Sequence, residues 1–179
     1  IAEGKVFVRS HDGRITAIDL FDGRRLWAHE QAVPTLSLRG NSSPRYDRGY
    51  VIVANDDGRV IALRADDGTP VWQQQVGLGE GRTDLDRLAD VDGEIVSADG
   101  VLYAAGFDGQ AVAIDIAGGH TRWNRDLSST SGVALGEHVF VSGADGKVVA
   151  LDRHSGGALW TQDALEHRQL SAPAFAGGY

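Results

Sequence analysis

Apolar residues in this chain come in short runs of three to six residues, rich in β-branched and aromatic side chains. Residues 5–8 (Lys-Val-Phe-Val) and 14–19 (Arg-Ile-Thr-Ala-Ile-Asp) are the first two runs, and apolar and polar positions partly alternate in them. The pattern predicts β-strands, because helices place apolar residues with a period of about 3.6. Asp-Gly pairs separate many of the runs, and these pairs favour tight hairpin turns.

One phrase occurs four times along the chain. It begins with an Asp-Gly pair, and an Ala, a second Gly and a Trp follow that first Gly by 4, 10 and 14 residues. The first glycines of the four phrases are Gly13, Gly58, Gly109 and Gly146. Agreement at so many positions in four places indicates an array of structural repeats.

Each repeat predicts three clear strands, B, C and D, and a weaker strand A precedes most repeats, near 43–46, 93–96, 132–135 and 172–175. Four antiparallel strands joined by hairpins form one blade of a β-propeller. We therefore predict an all-β chain, a single propeller domain of four-stranded antiparallel blades. The blade repeats are predicted at 3–30, 42–76, 93–127 and 132–163, and the start of a further blade at 171–179. An antiparallel sandwich is the main rival, although sandwich strands do not normally repeat a phrase so closely.

The four tryptophans of the chain all stand on the predicted last strand of a repeat: Trp27, Trp72, Trp123 and Trp160. A large flat ring on that strand can cover the adjoining blade while its N–H reaches a backbone acceptor. We interpret these residues as packing elements between blades. The alternative is that they form an exposed aromatic platform for a ligand.

Composition narrows the range of functions. The formal net charge is −8, and the acidic residues are spread over the turns, so no basic stripe of the kind that binds nucleic acid is present. Arg39, Arg45 and Arg48 are local exceptions, but they alternate with polar residues and form no block, so we interpret this basic stretch as a solvated loop. No apolar run approaches the roughly 20 residues that span a bilayer. Because both ends of the sequence fall inside a repeat, we expect it to be a piece of a longer chain.

Catalytic and metal-binding motifs are not apparent in the sequence. The six histidines do not pair at metal-ligand spacing, and cysteine is absent. Residues 90–94 (Asp-Val-Asp-Gly-Glu) resemble a calcium loop only faintly, because the bidentate Glu at the required later position is missing. We therefore expect a protein that is not an enzyme and carries no cofactor or metal.

Two connections are unusually long for the repeat. The first, after Trp27, places Leu36 and Leu38 beside Arg39. The second, after Trp72, places two leucines among four aspartates: Leu85, Leu88, Asp84, Asp86, Asp90 and Asp92. Long loops of repeat proteins often gather on a binding face, and an apolar centre with a polar rim is typical of protein interfaces. The alternative is that these leucines cap the ends of the blades.

The phrase Ala-Ile-Asp-x-x-x-Gly-x-x-x-Trp at 17–27 resembles the tryptophan-docking repeat of PQQ-type propellers. Three further segments are similar to signature loops of the BamB family of outer-membrane protein assembly factors. They are Leu-Ser-Leu-Arg-Gly at 36–40, Asp-Arg-Leu-Ala-Asp-Val-Asp at 86–92, and Leu-Trp-Thr-Gln at 159–162 with His-Arg at 167–168. The resemblance covers the whole chain but only about half of a family member.

The resemblance implies an eight-bladed propeller lipoprotein of the bacterial periplasm, anchored to the inner leaflet of the outer membrane. Such a protein is a non-catalytic scaffold of the BAM complex, binds the POTRA region of BamA and assists insertion of β-barrel proteins. Nascent outer-membrane proteins are a second possible partner. The resemblance implies BamA contacts at five positions: Leu36, Leu38, Arg39, Asp90 and Asp92. The lipidated Cys of the family has no counterpart here, so a membrane anchor would lie outside this chain.

Two other function classes remain open at this stage. One is a fragment of a PQQ-dependent dehydrogenase propeller, and the other is an extracytoplasmic protein-binding propeller with an unrelated partner. The cut repeat raises a separate question of how its edges are covered. The last predicted strand could pair with the first blade of the same chain, with a second copy, or with the rest of a longer chain.

Overall fold

The structure, a computed structural model, describes residues 1–31, 42–55, 57–76, 91, 93–107 and 109–176. The first sheet has three strands, β1 (Lys5–Arg9), β2 (Ile15–Asp19) and β3 (Arg25–His29). The second sheet contains β4 (Arg45–Asp47), β5 (Tyr50–Ala54), β6 (Arg59–Arg64) and β7 (Pro70–Gln75). The third contains β8 (Val96–Ala98), β9 (Val101–Ala105), β10 (Gln110–Asp115) and β11 (Thr121–Asp126). The fourth contains β12 (Val133–Leu135), β13 (Val139–Ser142), β14 (Val148–Leu151) and β15 (Ala158–Gln162).

In every sheet the strands lie in chain order and neighbouring strands run antiparallel, so each sheet is one propeller blade, numbered 1 to 4 along the chain. The predicted all-β propeller fold is confirmed. The short inner strands β4, β8 and β12 contact one another from blade to blade. Residues 171–176, in the stretch where a further strand was predicted, form no strand in the structure.

The repeated Ala and Trp are directly opposite each other on neighbouring strands. Ala17 pairs with Trp27, and the same pairing recurs at Ala62 with Trp72, Ala113 with Trp123 and Ala150 with Trp160. The register shifts immediately after each Ala, as at a β-bulge, which bends the strand and increases its twist. The small Ala leaves room for the large ring that faces it, and this pairing accounts for the constant spacing between the two residues.

The core lies between the blades. Three clusters of buried apolar side chains fill the joints between blades 1 and 2, 2 and 3, and 3 and 4. At the first joint, Ile15, Ala17 and Trp27 of blade 1 pack with Val53 and Leu63 of blade 2. Each blade is therefore stabilised by burial of apolar surface on the next blade, as expected for a repeat protein.

The two ends of each blade differ in which turns and connections are hydrogen-bonded to each other. At one end, the turns between the third and fourth strands bond the turns between the first two, as when Ala65 N–H donates to Gly49 O at 2.9 Å. At the other end, the turns between the second and third strands bond the connections to the next blade, as when Ser129 N–H donates to Gly106 O at 3.0 Å. We call this second end the loop end, because both long connections leave from it.

Aspartates in the turns accept hydrogen bonds that lower their pKa. The hydroxyl and amide of Ser155 and the amide of His154 donate to Asp152, and they hold its pKa below the ordinary 3.8. The amides of Phe21 and Asp22 lower the pKa of Asp19 in the same way.

Because the pKa values of these aspartates are lowered in the folded protein, we expect the protein to lose stability in acid. A carboxyl whose folded pKa lies below its unfolded value stabilises the fold fully above the unfolded value, and the contribution disappears as pH falls through the folded value. The urea midpoint should therefore stay nearly constant from pH 7 to about pH 5 and fall below about pH 4. Asp152→Asn should make that fall shallower, and an unchanged pH dependence in this variant would contradict the assignment.

Candidate functional site

All the residues predicted to bind BamA lie outside the described residues: Leu36, Leu38, Arg39, Asp90 and Asp92. The structure does describe the positions at which their two loops leave and rejoin the sheets. The first loop, 32–41, runs from Gln31 to Ser42, and the second, 77–90, runs from Val76 to Val91. We call these four residues the loop stems.

Three of the loop stems meet at one end of blade 2, where they contact Asn55 and Gly58. The side-chain amide of Asn55 donates to Oε1 of Gln31 at 3.0 Å. The backbone N–H of Val91 approaches the carbonyl of Asn55 at 3.5 Å, and the N–H of Val76 donates to the carbonyl of Gly58 at 2.8 Å. The start of the first loop and both ends of the second are therefore held together at the loop end of blade 2.

The stems are firmly seated in the protein. Three of the four stems, Ser42, Val76 and Val91, are buried, and so is Asn55. A buried side-chain amide is costly unless it is hydrogen-bonded, so the bond from Asn55 to Gln31 fixes the departure of the first loop. A loop on a rigid scaffold is the usual setting of a binding site.

Sequence reasoning did not identify Asn55. The corresponding positions of the other repeats hold Ser10, Gly106 and Gly143, so Asn55 has the largest side chain at this place in the phrase. This difference from the other repeats could have marked Asn55 as a residue with a contact of its own. Its partner could not be found, because Gln31 belongs to a different repeat.

Polar side chains next to the stems form a local network. Nε of Arg59 donates to Oε1 of Gln75 at 2.9 Å and lies 3.8 Å from a carboxylate oxygen of Asp57. Nε2 of Gln75 donates to the backbone carbonyl of Asp57 at 3.1 Å. The arrangement orders the surface beside the second loop and offers hydrogen-bonding groups rather than a reactive centre.

The three arginines of the basic stretch do not lie together in one site. Arg39 lies outside the described residues. Nε of Arg45 donates to Oγ of Ser97 at 3.2 Å, which links two inner strands. Arg48 stands in the turn between β4 and β5, at the end of the blade opposite the loops. Arg48 is therefore not part of the surface around the loop stems.

The tryptophans contact the following blade in a constant way. The indole N–H donates to a backbone carbonyl of the next blade in three cases: Trp27 to Ala65 (3.0 Å), Trp72 to Ile116 (2.7 Å) and Trp123 to Arg153 (3.0 Å). Each acceptor stands three residues before the second glycine of that blade's phrase. The ring lies over that glycine, so a Cβ there would be only 2.5 to 2.6 Å from a ring atom at Gly68, Gly119 and Gly156.

A second bond accompanies the ring at two of these joints. Two residues after the tryptophan, Nε2 of Gln74 donates to the carbonyl of Gly119 at 2.7 Å. Nε of Arg125 donates to the carbonyl of Gly156 at 2.6 Å. The ring, its N–H and this side chain form a unit that joins blades, which we call the tryptophan dock.

Trp160 is the exception among the four tryptophans. Its side chain is 46% exposed, whereas Trp27 and Trp123 are each 8% exposed. It contacts Phe140 of its own blade at a ring distance of 5.9 Å. Within the described residues no further blade covers it.

The described residues contain no group of three His, Asp or Glu side chains placed to hold a metal ion. No described segment is a helix with the length and hydropathy of a membrane span. The described residues present a set of joined blades from which two long loops depart side by side.

Comparison with known proteins identifies the family of this chain. A family model described as outer membrane protein assembly factor BamB matches residues 1–162. The outer membrane protein assembly factor BamB of Vibrio cholerae is 39% identical over 175 residues, which are 97% of this chain and 45% of that protein. The chain therefore spans about half the length of the curated relatives it matches.

Solved structures give the same result. The crystal structure of BamB from Moraxella catarrhalis has a TM-score of 0.84 and 37% identity, over 94% of this chain and 51% of that one. A europium-containing methanol dehydrogenase has a TM-score of 0.73 at 13% identity, over 93% of this chain and 41% of that one, and this likeness shows the fold alone. The family model matches most of the chain, and the Vibrio cholerae relative is well above 30% identical to it. The chain therefore belongs to the family of the outer membrane protein assembly factor BamB.

Proposed function

We propose that this chain is part of a non-catalytic periplasmic scaffold that assists assembly of β-barrel proteins into the bacterial outer membrane, as the BAM complex does. In this proposal it binds the POTRA region of BamA through its two long loops and needs no cofactor. A lipid anchor outside this chain attaches the whole protein to the inner leaflet of the outer membrane. The names of the relatives, all outer membrane protein assembly factors, support this role.

The observation that carries the proposal is the meeting of three loop stems at Asn55 and Gly58. Loops that start side by side on a rigid sheet can present one continuous surface, although they are far apart in sequence. The residues predicted to contact BamA are divided between these two loops. The geometry of the stems therefore supports a single binding surface formed by both loops.

The proposed surface has an apolar centre and a charged rim. Leu36 and Leu38 supply the apolar part, while Arg39 on the first loop and Asp90 with Asp92 near the second supply charges of both signs. This division is typical of protein–protein interfaces, in which charges at the rim set orientation and partner choice. A partner with the opposite arrangement of charge is expected.

Charge reversal in either loop should weaken binding strongly. We expect Arg39→Glu, and separately Asp90→Lys with Asp92→Lys, to raise the Kd for a purified BamA POTRA region by at least about 30-fold. The reason is that a charge left without its partner in an interface costs about 2–5 kcal/mol. Isothermal titration calorimetry measures the Kd, and circular dichroism with thermal unfolding checks that the fold is intact.

Matched controls come from the opposite end of the blades. Arg24→Glu and Glu137→Lys reverse exposed charges in turns that lie away from the loop end, so both should bind as the unchanged chain does. If the loop variants bind with unchanged affinity, the assignment of the surface is wrong. If the controls lose binding as well, net charge rather than the loops governs the interaction.

A further inference from the structure

The segment that follows β15 carries the His-Arg pair at 167–168, which takes no part in the loop stems. His167 has a φ of +65°, a left-handed backbone conformation that is uncommon for a residue other than glycine. The other described residues of this kind directly precede a glycine in a tight turn: Glu3, Arg48 and Asp99. His167 does not, and backbone strain of this kind often accompanies a binding site.

Contacts with blade 4 hold this segment in place. The N–H of His167 donates to the carbonyl of Asp145, in the turn between β13 and β14, at 2.8 Å. Gly146 of the same turn lies so close to the segment that a Cβ there would meet its backbone at 2.5 Å. Further along, Oγ of Ser131 donates to the carbonyl of Leu170 at 2.5 Å. The path of the segment is therefore set by its contacts with the turn of blade 4 and with the connection that enters this blade.

The segment forms one wall of a cavity of about 410 Å³ at the loop end of blades 3 and 4. The other walls come from the turn between β9 and β10, the connection between β11 and β12, and the turn between β13 and β14. The lining includes Phe107, Thr130, Ala144, Arg168, Gln169 and Leu170. The volume falls within the range of about 300–1,000 Å³ that is typical of ligand sites.

The charge of the cavity comes from Arg168. It is the one charged residue among the described residues that line the space, and its guanidinium forms no ion pair with the described part of the chain. The nearby carboxylates pair with Lys147 instead, whose Nζ lies 3.0 Å from Asp145 and 3.2 Å from Glu166. A guanidinium binds a carboxylate through two parallel hydrogen bonds, so the cavity favours a ligand with a carboxylate.

The rest of the lining indicates what accompanies the carboxylate. Phe107 and Leu170 offer apolar surface for an apolar side chain, and Thr130 and Gln169 offer hydrogen-bonding groups for peptide units. One turn of an α-helix, about 10 Å wide and 5.4 Å long, would already fill the space. An extended segment fits better, because its residues i and i+2 point to the same side and can enter the cavity together.

The cavity is continuous with the surface around the loop stems. The N–H of Ser129, in the connection between β11 and β12, donates to the carbonyl of Gly106 at 3.0 Å. At the other end of the same turn of blade 3, the N–H of Gln110 approaches the carbonyl of Val76, a loop stem, at 3.3 Å. The turn that carries Phe107 thus lies between the cavity and the second loop. This position favours a segment of a protein over a free small molecule.

We propose that the cavity binds an extended segment of a protein partner. A carboxylate side chain of that segment pairs with Arg168, and an apolar side chain two residues away packs on Phe107 and Leu170. The site is separate from the residues proposed to contact BamA. Its test needs no BamA, so either proposal can fail without the other.

The test is an NMR titration of the protein with the blocked peptide acetyl-Ala-Glu-Ala-Phe-Ala-amide, whose Glu and Phe share one side when extended. We expect a Kd on the order of 1 mM or lower, with the largest shift changes at the amides of Thr130, Ala144 and Gln169. Gln in place of the peptide Glu should raise the Kd by at least about 10-fold, and Ala in place of the Phe by about 5-fold.

Variants of the protein assign the contacts. Arg168→Gln should raise the Kd by at least about 10-fold, and adding the Gln peptide should cause little further rise, because both changes remove one interaction. Ala144→Leu should weaken binding as strongly by filling the cavity. Arg24→Gln, an exposed arginine at the opposite end of the blades, is the matched control and should bind normally. Arg39→Glu should also leave the affinity for the peptide unchanged.

Thermal unfolding shows whether each variant is folded, and Ala144→Leu keeps the test valid should Arg168→Gln fail to fold. The proposal is overturned if about 10 mM peptide, ten times the expected Kd, causes no shift changes. It is also overturned if folded Arg168→Gln and Ala144→Leu bind normally, or if Arg39→Glu alone loses binding. Sodium acetate that binds as tightly as the peptide would show a carboxylate site with no preference for a protein segment, and would likewise contradict it.

Discussion

Replacing Trp123 by alanine is expected to lower the free energy of unfolding by about 3–5 kcal/mol. The ring is 8% exposed, packs on Tyr103 at a ring distance of 6.0 Å and covers Gly156 of blade 4. Its removal leaves a cavity between blades and removes the hydrogen bond from the indole N–H to the carbonyl of Arg153 at 3.0 Å, so that only the hydroxyl of Tyr103, at 3.3 Å, still donates to that carbonyl. Urea unfolding, followed by circular dichroism, measures the loss.

Trp160→Ala is the comparison variant, and the difference between the two losses measures how much the contact of the ring with the next blade contributes to stability. Its ring touches Phe140 but no following blade within the described residues, so the loss should be less than half of that at Trp123. Equal losses at the two positions would show that the ring stabilises its own blade rather than the joint.

The spacing of the repeat could be read from the sequence, but the partner of each ring could not. Trp27 follows Gly23 by four residues, and yet the glycine beneath its ring is Gly68 of the next repeat. Because every repeat supplies a Gly at the same place, the sequence is equally consistent with contact inside a blade. Only the packing of one sheet on the next decides between them.

The positions of the short inner strands were also only partly predictable from the sequence. The strand predicted at 93–96 is observed at Val96–Ala98, because Glu94 instead bridges to Gly132 of the next blade. The strand predicted near 172–175 is not formed, since a strand needs a neighbour to bond its backbone and none of the described strands supplies one. Short inner strands are thus set by contacts distant in sequence, while the longer strands follow from local pattern.

The candidate site was predictable in part. Loop length relative to the repeat identified the two connections, because the repeat gives a standard against which an insertion is visible. The meeting of Gln31, Val76 and Val91 at one end of blade 2 was not predictable, since it joins residues of different repeats. The roles of Leu36 and Arg39 stay predictions that rest on resemblance.

Gly68→Ala should cost about 1–3 kcal/mol more than Gly23→Ala. The two glycines have nearly equal φ values, +74° and +72°, so each alanine pays the same penalty of roughly 1–2 kcal/mol for a left-handed backbone. They differ in what the new Cβ meets: Cε3 of Trp27 at 2.5 Å for Gly68, and nothing within 4 Å for Gly23. The difference therefore measures the space that the ring requires.

Urea unfolding, followed by circular dichroism, measures both losses and should give the larger loss for Gly68→Ala. Equal losses at the two glycines would mean that the ring of Trp27 moves aside freely.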